Sequence, residues 1–191
     1  MNSSAVQRQI VRYPGGYRAV YAWAGPTIEL THEAAAGDEP ATLDLADLGG
    51  PAGDRLCHAS IDVSGPTGGW AALFAAPIFD APQGLLWDSA GLLLVAYGFR
   101  AYAFEARGGE LRWSFDSATP LVAILGSPRL EHVLVQGELE TTALDADGEV
   151  AWRASHDDVI TAAELMAGRL VASTWSGATV TIDPRTGARL P

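Results

Sequence analysis

The chain has 191 residues, of which 48% are hydrophobic and 18% charged, and its formal net charge is −11. A chain of this length can bury a substantial core as a single domain, and a charge this negative argues against a nucleic-acid-binding surface, because such surfaces are basic. No apolar run approaches the roughly 18–20 residues that cross a membrane, no signal peptide begins the chain, and the single cysteine, Cys57, excludes an internal disulfide, so we expect a cytoplasmic protein.

The N-terminal part of the chain contains two faint versions of a pattern that is clearer later. Residues 21–33 (YAWAGPTIELTHE) hold two β-prone runs around Gly25-Pro26, and residues 57–63 and 70–74 read as further strands. Glycine- and proline-rich stretches between them are typical of loops. The sequence predicts two degenerate units at 5–41 and 42–80, and a separate N-terminal β-sandwich is the competing interpretation.

From residue 82 onward the predicted strands form three clear units. The first two, at 84–117 and 120–156, each contain four predicted strands, whereas the third, at 159–191, contains three. Residues 5–12 (AVQRQIVR) alternate in polarity and are a candidate for the missing strand, which would close a ring. If they do not close it, pairing of two chains into a homodimer is the natural way to cover the open ends.

These three units contain an internal repeat. Residues 93–105, 133–145 and 171–183 align without a gap, and each segment ends in an acidic residue. The acids at 105, 145 and 183 are 40 and 38 residues apart, within the window of roughly 20–50 residues that marks solenoids and propellers. An acid can open a turn by accepting backbone N–H groups, and the glycine that follows supplies a positive φ. Four residues after each glycine stands Trp113, Trp152 or Pro191.

The repeat resembles the signature of the quinoprotein-like (PQQ-like) β-propeller family, Ala-x-Asp-x-x-Thr-Gly-x-x-x-Trp. The resemblance covers residues 85–191 and implies an all-β, small β-propeller-like array of about four to five antiparallel blades. It also implies that the motif residues are structural, with the tryptophan docking one blade on the next. The residues assigned to blade docking are Glu105, Gly109, Trp113, Asp145, Gly148, Trp152, Asp183 and Gly187.

No motif of catalysis or of cofactor binding accompanies the repeat. Cofactor-bearing members of the family resemble large eight-bladed rings, whereas this chain is far shorter, so we expect no cofactor. Metal-ligand spacings such as Cys-x2-Cys are missing from the sequence, as are nucleophile elbows and phosphate loops. Three carboxylates of the kind that a propeller glycosidase uses, Asp44, Asp80 and Glu164, have no recognisable arrangement. We therefore expect a protein that is not an enzyme.

Two functions remain. The first is a non-catalytic protein-interaction module that binds a partner through a ring face or blade edge, and the acidity of the chain favours a basic partner. The alternative is a small-ligand or carbohydrate-binding propeller of the lectin-like kind. Its candidate ligand face consists of Trp23, Tyr97, His156, Asp157 and Trp175.

Overall fold

The computed structural model describes residues 5–28, 30, 41–45 and 56–191. In this part of the chain sixteen β-strands form four sheets, which confirms the prediction of an all-β, propeller-like array. The remaining regular structure described is two short 3-10 turns, Pro14–Gly16 and Asp88–Ala90. No helix among the described residues has the length and apolar character needed to cross a membrane.

The first sheet has five strands in the order β1-β2-β4-β5-β3. Its strands pair antiparallel except for β3, which lies parallel to β5 at the edge of the sheet. The strands are β1 (Gln7–Arg12), β2 (Arg18–Ala24), β3 (Ala41–Asp44), β4 (Cys57–Gly65) and β5 (Gly68–Ala76).

The other three sheets are simple antiparallel meanders, in which each strand pairs with the next one along the chain. The second sheet contains β6 (Gln83–Trp87), β7 (Leu92–Tyr97), β8 (Arg100–Glu105) and β9 (Leu111–Asp116). The third contains β10 (Leu121–Leu125), β11 (Val133–Gly137), β12 (Glu140–Leu144) and β13 (Val150–Ser155). The fourth contains β14 (Ile160–Met166), β15 (Arg169–Thr174) and β16 (Thr179–Ile182).

The four sheets stack face to face in chain order, with a hydrophobic core at each of the three interfaces. Strand β7 (LLLVAY) is buried at every position, because the second sheet is covered on both faces and so lacks the alternation of a half-exposed strand. Strand β15, by contrast, alternates between exposed and buried residues. The fourth sheet is therefore covered by its neighbour on one face only.

The two degenerate units expected at 5–41 and 42–80 are not separate in the described residues. Strands from both segments share the first sheet, and Arg18–Ala24 pairs with Cys57–Gly65 through Tyr21 opposite Ile61. This pairing brings the apolar side chains of both strands onto one face, which packs against the second sheet. The expected N-terminal β-sandwich is likewise not observed, because these strands form one sheet of the stack. The second of the two β-prone runs expected in residues 21–33 lies largely outside the described residues.

The closed-ring hypothesis required strand β1 to complete the last sheet, and it does not do so. It pairs with β2, from Gln7 opposite Trp23 to Arg12 opposite Arg18. The connection is a short turn in which Gly15 and Gly16 have φ of 72° and 81°, and closing so short a loop costs little conformational entropy. A local hairpin therefore prevails over a contact with β16 that would span the whole chain.

The gapless alignment of the three repeats is also wrong by one residue in the fourth sheet. Val180 pairs with Ala172, whereas the aligned Thr142 pairs with Val135, so Ala172 rather than Ser173 stands at the position of Val135. The extra residue lies in the hairpin after Thr174, where Gly177 has a φ of 86°. This shift decides which side chains of β15 face the third sheet.

Candidate functional site

The same tryptophan contact recurs at the first two interfaces between sheets. The indole N–H of Trp70 donates to the carbonyl of Ala106 over 3.1 Å, and that of Trp113 donates to Ala146 over 3.0 Å. Ala106 and Ala146 each follow the acidic residue that opens the turn of the next sheet. Each tryptophan thus reaches the turn of the sheet that follows it.

The turn glycines provide the space for these rings. A Cβ atom added at Gly109 would lie 2.4 Å from Cγ of Trp70, and one added at Gly148 would lie 2.7 Å from Cγ of Trp113. A third such contact joins Gly187 to Trp152 at 2.5 Å. The three glycines have φ between 73° and 86°, so they are required both by the backbone and by the ring above them.

The acids of the motif act on the backbone of their own turns. The Asp145 carboxylate accepts the N–H groups of Asp147 and Glu149, each over 2.9 Å, and Asp183 accepts that of Arg185 over 2.9 Å. Glu105 accepts the N–H of Gly108 in the same way. Carboxylates bound in this manner organise turns, and they are placed to hold the glycines under the tryptophans.

A histidine modifies the third interface. Nε2 of His132 lies 2.6 Å from the carbonyl of Pro184, the residue that follows Asp183 as Ala146 follows Asp145. So short an approach to a carbonyl requires the proton on Nε2, and the Trp152 indole nitrogen is 3.3 Å from that nitrogen, with the two rings nearly perpendicular at 88°. At the third interface His132 therefore donates to the carbonyl of Pro184, which is equivalent to the carbonyls that accept from Trp70 and Trp113 at the other two. Sequence reasoning missed His132, since no repeat position predicts it.

A second histidine, His156, belongs to a buried polar cluster between the third and fourth sheets. Thr141 donates to Oε1 of Gln136 over 2.6 Å, so its hydroxyl oxygen accepts from Nε2–H of His156 over 2.8 Å. Gln136 in turn donates to the carbonyl of Gly137 over 2.7 Å. This order of donors leaves Nδ1 of His156 unprotonated, and Nδ1 has no partner among the described residues.

The surroundings of His156 disfavour the charged imidazole. Its burial lowers its pKa below the ordinary value, and Arg189 lowers the pKa further, while Asp157 and Glu140 oppose the shift. No group of three or more His, Cys, Asp or Glu side chains in the described residues could hold a metal ion. The cluster thus joins strands β11 and β12 of the third sheet to the segment that follows β13.

The candidate ligand face predicted from the sequence is not assembled as a face. Trp23 and Tyr97 are buried in the core between the first and second sheets, with 8% and 2% of their surface exposed. Burial also raises the pKa of the Tyr97 hydroxyl, which has no partner among the described residues. His156 is buried as well, so Trp175 and Asp157 are the exposed members of the five.

The three carboxylates considered for a glycosidase lie on unrelated elements. Asp44 is in the edge strand β3, Asp80 is in the loop before β6, and Glu164 is on the outer face of β14.

The outer face of the fourth sheet is equivalent in position to the faces of the second and third sheets that pack against the next sheet. Four equivalent positions lie on one face of each sheet, and in the second and third sheets this face packs against the next sheet. The composition of the four positions changes from apolar to polar along the chain. In the second sheet they are Leu94, Ala96, Ala101 and Ala103; in the third they are Leu134, Gln136, Thr141 and Ala143; in the fourth they are Val171, Ser173, Thr179 and Thr181. The first eight are buried, whereas the last four are exposed or half-buried.

Asp158 fixes the hairpin that borders this open face. One carboxylate oxygen accepts the N–H of Val159 over 2.8 Å and the other accepts that of Ser176 over 3.1 Å. Hydrogen bonds from the side chain and backbone of Ser176 and from Thr174 lower the pKa of Asp158 to about 2. The carboxylate thus ties the turn between β15 and β16 to the segment before β14.

We expect the contribution of Asp158 to stability to depend on pH in a defined way. Because its pKa in the folded chain lies below the unfolded value of 3.8, its contribution is present above pH 3.8 and is lost as the pH falls to about 2. The difference in melting temperature between the wild type and Asp158→Asn should therefore shrink over that interval. Asp157→Asn is the control, since Asp157 is exposed and its carboxylate accepts from Arg189 on the surface of the described chain. A difference that does not change with pH contradicts the assignment.

Comparison with known proteins places the fold. None of the known protein-family models matches the chain, and no curated protein matches it in sequence. Solved structures do resemble it: dihydro-heme d1 dehydrogenase NirN in complex with DHE has a TM-score of 0.57 at 16% identity, over 95% of this chain and 42% of that one. The Neurospora crassa Pan2 WD40 domain has 0.51 at 20% identity, over 72% and 45%. A chain of the mitotic checkpoint complex has 0.52 at 11% identity, over 68% and 47%.

These identities are low, so the likeness concerns the fold. This chain spans less than half the length of each of the three solved chains. Together with the four stacked sheets, the comparisons show that the chain has a β-propeller-like fold.

Proposed function

We propose that the chain is a non-catalytic protein-interaction module, with a protein partner bound on the outer face of the fourth sheet and along its edge. The observation that supports this proposal is the open face itself. Val171, Ser173, Thr179 and Thr181 occupy positions that are buried against a further sheet in the second and third sheets. The β-propeller-like fold is compatible with this role but does not specify it.

We also propose that the sheets are of the quinoprotein-like repeat type. The support is the contact of tryptophan with turn glycine, which recurs between Trp70 and Gly109, between Trp113 and Gly148, and between Trp152 and Gly187. It follows the acid, glycine and tryptophan order of the motif. In this interpretation the family resemblance describes how the sheets are joined, and the binding function lies outside the motif.

Position-dependent crosslinking tests the binding proposal. A photoreactive phenylalanine analogue placed at Ser173 or Thr179 should yield a discrete adduct with a partner protein in cells, whereas the same residue at Arg112 should not, because Arg112 lies on β9, away from the open face. Thr181→Arg should abolish the adduct by placing a bulky charge on the face. Equal adducts from Arg112, or none from the face, contradict the proposal. A partner adduct with the mass of this chain identifies a homodimer, which light scattering would measure independently.

A further inference from the structure

Trp175 differs from every other tryptophan of the chain. Trp23, Trp70 and Trp87 are buried and Trp113 and Trp152 are half-buried, whereas 80% of Trp175 is exposed. An exposed indole contributes little to folding, because it removes little apolar surface from water. Aromatic residues of this kind are enriched at the energetic centres of protein interfaces.

Trp175 lies in the hairpin between β15 and β16. The equivalent hairpins of the second and third sheets each accept a backbone hydrogen bond from the sheet that follows. The carbonyl of Gly98 accepts the N–H of Leu121 over 2.8 Å, and that of Glu138 accepts the N–H of Ile160 over 2.7 Å. Leu121 and Ile160 are the first residues of β10 and β14. Each hairpin thus receives the beginning of the next sheet's first strand.

Trp175 stands at the position of Gly98 and Glu138 in this scheme. Its N–H donates to the carbonyl of Val159 over 2.8 Å, as that of Glu138 donates to Pro120 over 3.1 Å. The carbonyl of Trp175, by contrast, receives no backbone N–H in the described part of the chain. The acceptor that binds the next sheet at Gly98 and Glu138 is therefore present at Trp175 without a backbone donor, and it lies beside an exposed indole.

A carboxylate is bonded to the hairpin that carries Trp175, and the chain as a whole is acidic. The neighbouring residue Ser176 is bonded to the carboxylate of Asp158 over 3.1 Å, and Asp157 is highly exposed, with Arg189 as its partner at 3.1 Å. The whole chain carries a net charge of −11. An exposed indole on a hairpin that is bonded to a carboxylate favours a cation, since the ring face and the acid attract the same charge.

We propose that Trp175 anchors an extended, basic segment of the protein partner, with a lysine or arginine side chain over the indole and a backbone N–H bonded to the Trp175 carbonyl. The segment would bond to the hairpin of the fourth sheet in the way that the first residues of β10 and β14 bond to the hairpins of the second and third sheets. This inference rests on the proposed function, since it names the partner's chemistry and its point of contact. It predicts that affinity decreases as salt increases, because opposite charges are brought together.

An array of blocked decapeptides tests the inference, with each position varied among lysine, arginine, citrulline, norleucine and glutamate. The wild type should bind peptides with a central lysine or arginine and lose binding when citrulline or norleucine replaces it. Trp175→Ala should weaken the best peptide by about 5- to 30-fold in a fluorescence anisotropy titration, and Trp175→Phe by less. Met166→Ala is the control, as Met166 is another exposed apolar side chain of the same sheet.

The outcomes separate this inference from the proposed function. If no peptide on the array binds, or if Trp175→Ala binds as the wild type does, the basic-segment inference is wrong. If partner adducts nevertheless form at Ser173 and Thr179, the interaction module stands and its partner has another chemistry. If neither peptides nor adducts are found, both proposals fail. Unchanged circular dichroism of Trp175→Ala would establish that any loss of binding is local.

Discussion

Trp70→Ala should lower the free energy of unfolding by about 3–5 kcal/mol, as expected for removal of a large aromatic side chain from a core. Trp70 is 1% exposed, its ring lies 4.9 Å from that of Phe104, and it donates to the Ala106 carbonyl. The substitution therefore removes packing and a hydrogen bond at the interface of the first two sheets. Urea unfolding followed by circular dichroism measures the change.

Two other tryptophans calibrate this expectation. Trp152→Ala should destabilise the chain less, because Trp152 is half-buried and His132 occupies the carbonyl at its interface. Trp175→Ala should change stability very little, because its indole is exposed. If Trp70→Ala proved no more destabilising than Trp175→Ala, the tryptophan contact would not hold the sheets together.

Gly109→Ala should cost about 2–3 kcal/mol, because the new methyl group is disfavoured by the backbone and by the ring of Trp70. The residue has a φ of 76°, and its Cβ would lie 2.4 Å from Cγ of Trp70. Gly168→Ala separates the two causes, since Gly168 has a φ of 77° with nothing within 4 Å of its Cβ. The control should therefore show the backbone cost alone.

A double-mutant cycle sharpens the second prediction. In the Trp70→Ala background the ring is gone, so Gly109→Ala should retain only the backbone cost measured at Gly168. The coupling energy between the two sites should then be about 1–2 kcal/mol, within the range for residues in direct contact. Additive effects would mean that Gly109 is required for its φ alone, and that the space it leaves for the Trp70 ring does not contribute to stability.

Much of the second, third and fourth sheets follows from local sequence signals. The four, four and three strands predicted for the clear units are the four, four and three strands of these sheets, because acids such as Asp145 and glycines such as Gly148 close turns within a few residues of the strands they join. Asp62 and Trp70 have the same spacing as Glu105 and Trp113, and Trp70 also contacts the turn of the next sheet. These features depend on neighbours that are close along the chain.

The arrangement of the first sheet depends on distant segments. Nothing local indicates that Ala41–Asp44 pairs parallel with β5, or that β1 turns back on β2 in preference to β16. Alternation specifies which side chains share a face, but it does not specify the partner strand. Choosing the partner requires comparison of loop-closure cost with buried area over the whole chain.

The sequence by itself determined that this protein is an all-β array of repeated sheets joined by tryptophan and glycine, since the repeat is encoded in short motifs. Only the tertiary structure decided which surfaces are free. A hairpin one residue longer turns Val171 outward and leaves Trp175 exposed, while packing buries Trp23 and Tyr97. Whether a side chain is exposed depends on which element packs against it. That packing comes from contacts between sheets, which the sequence of a single repeat does not contain.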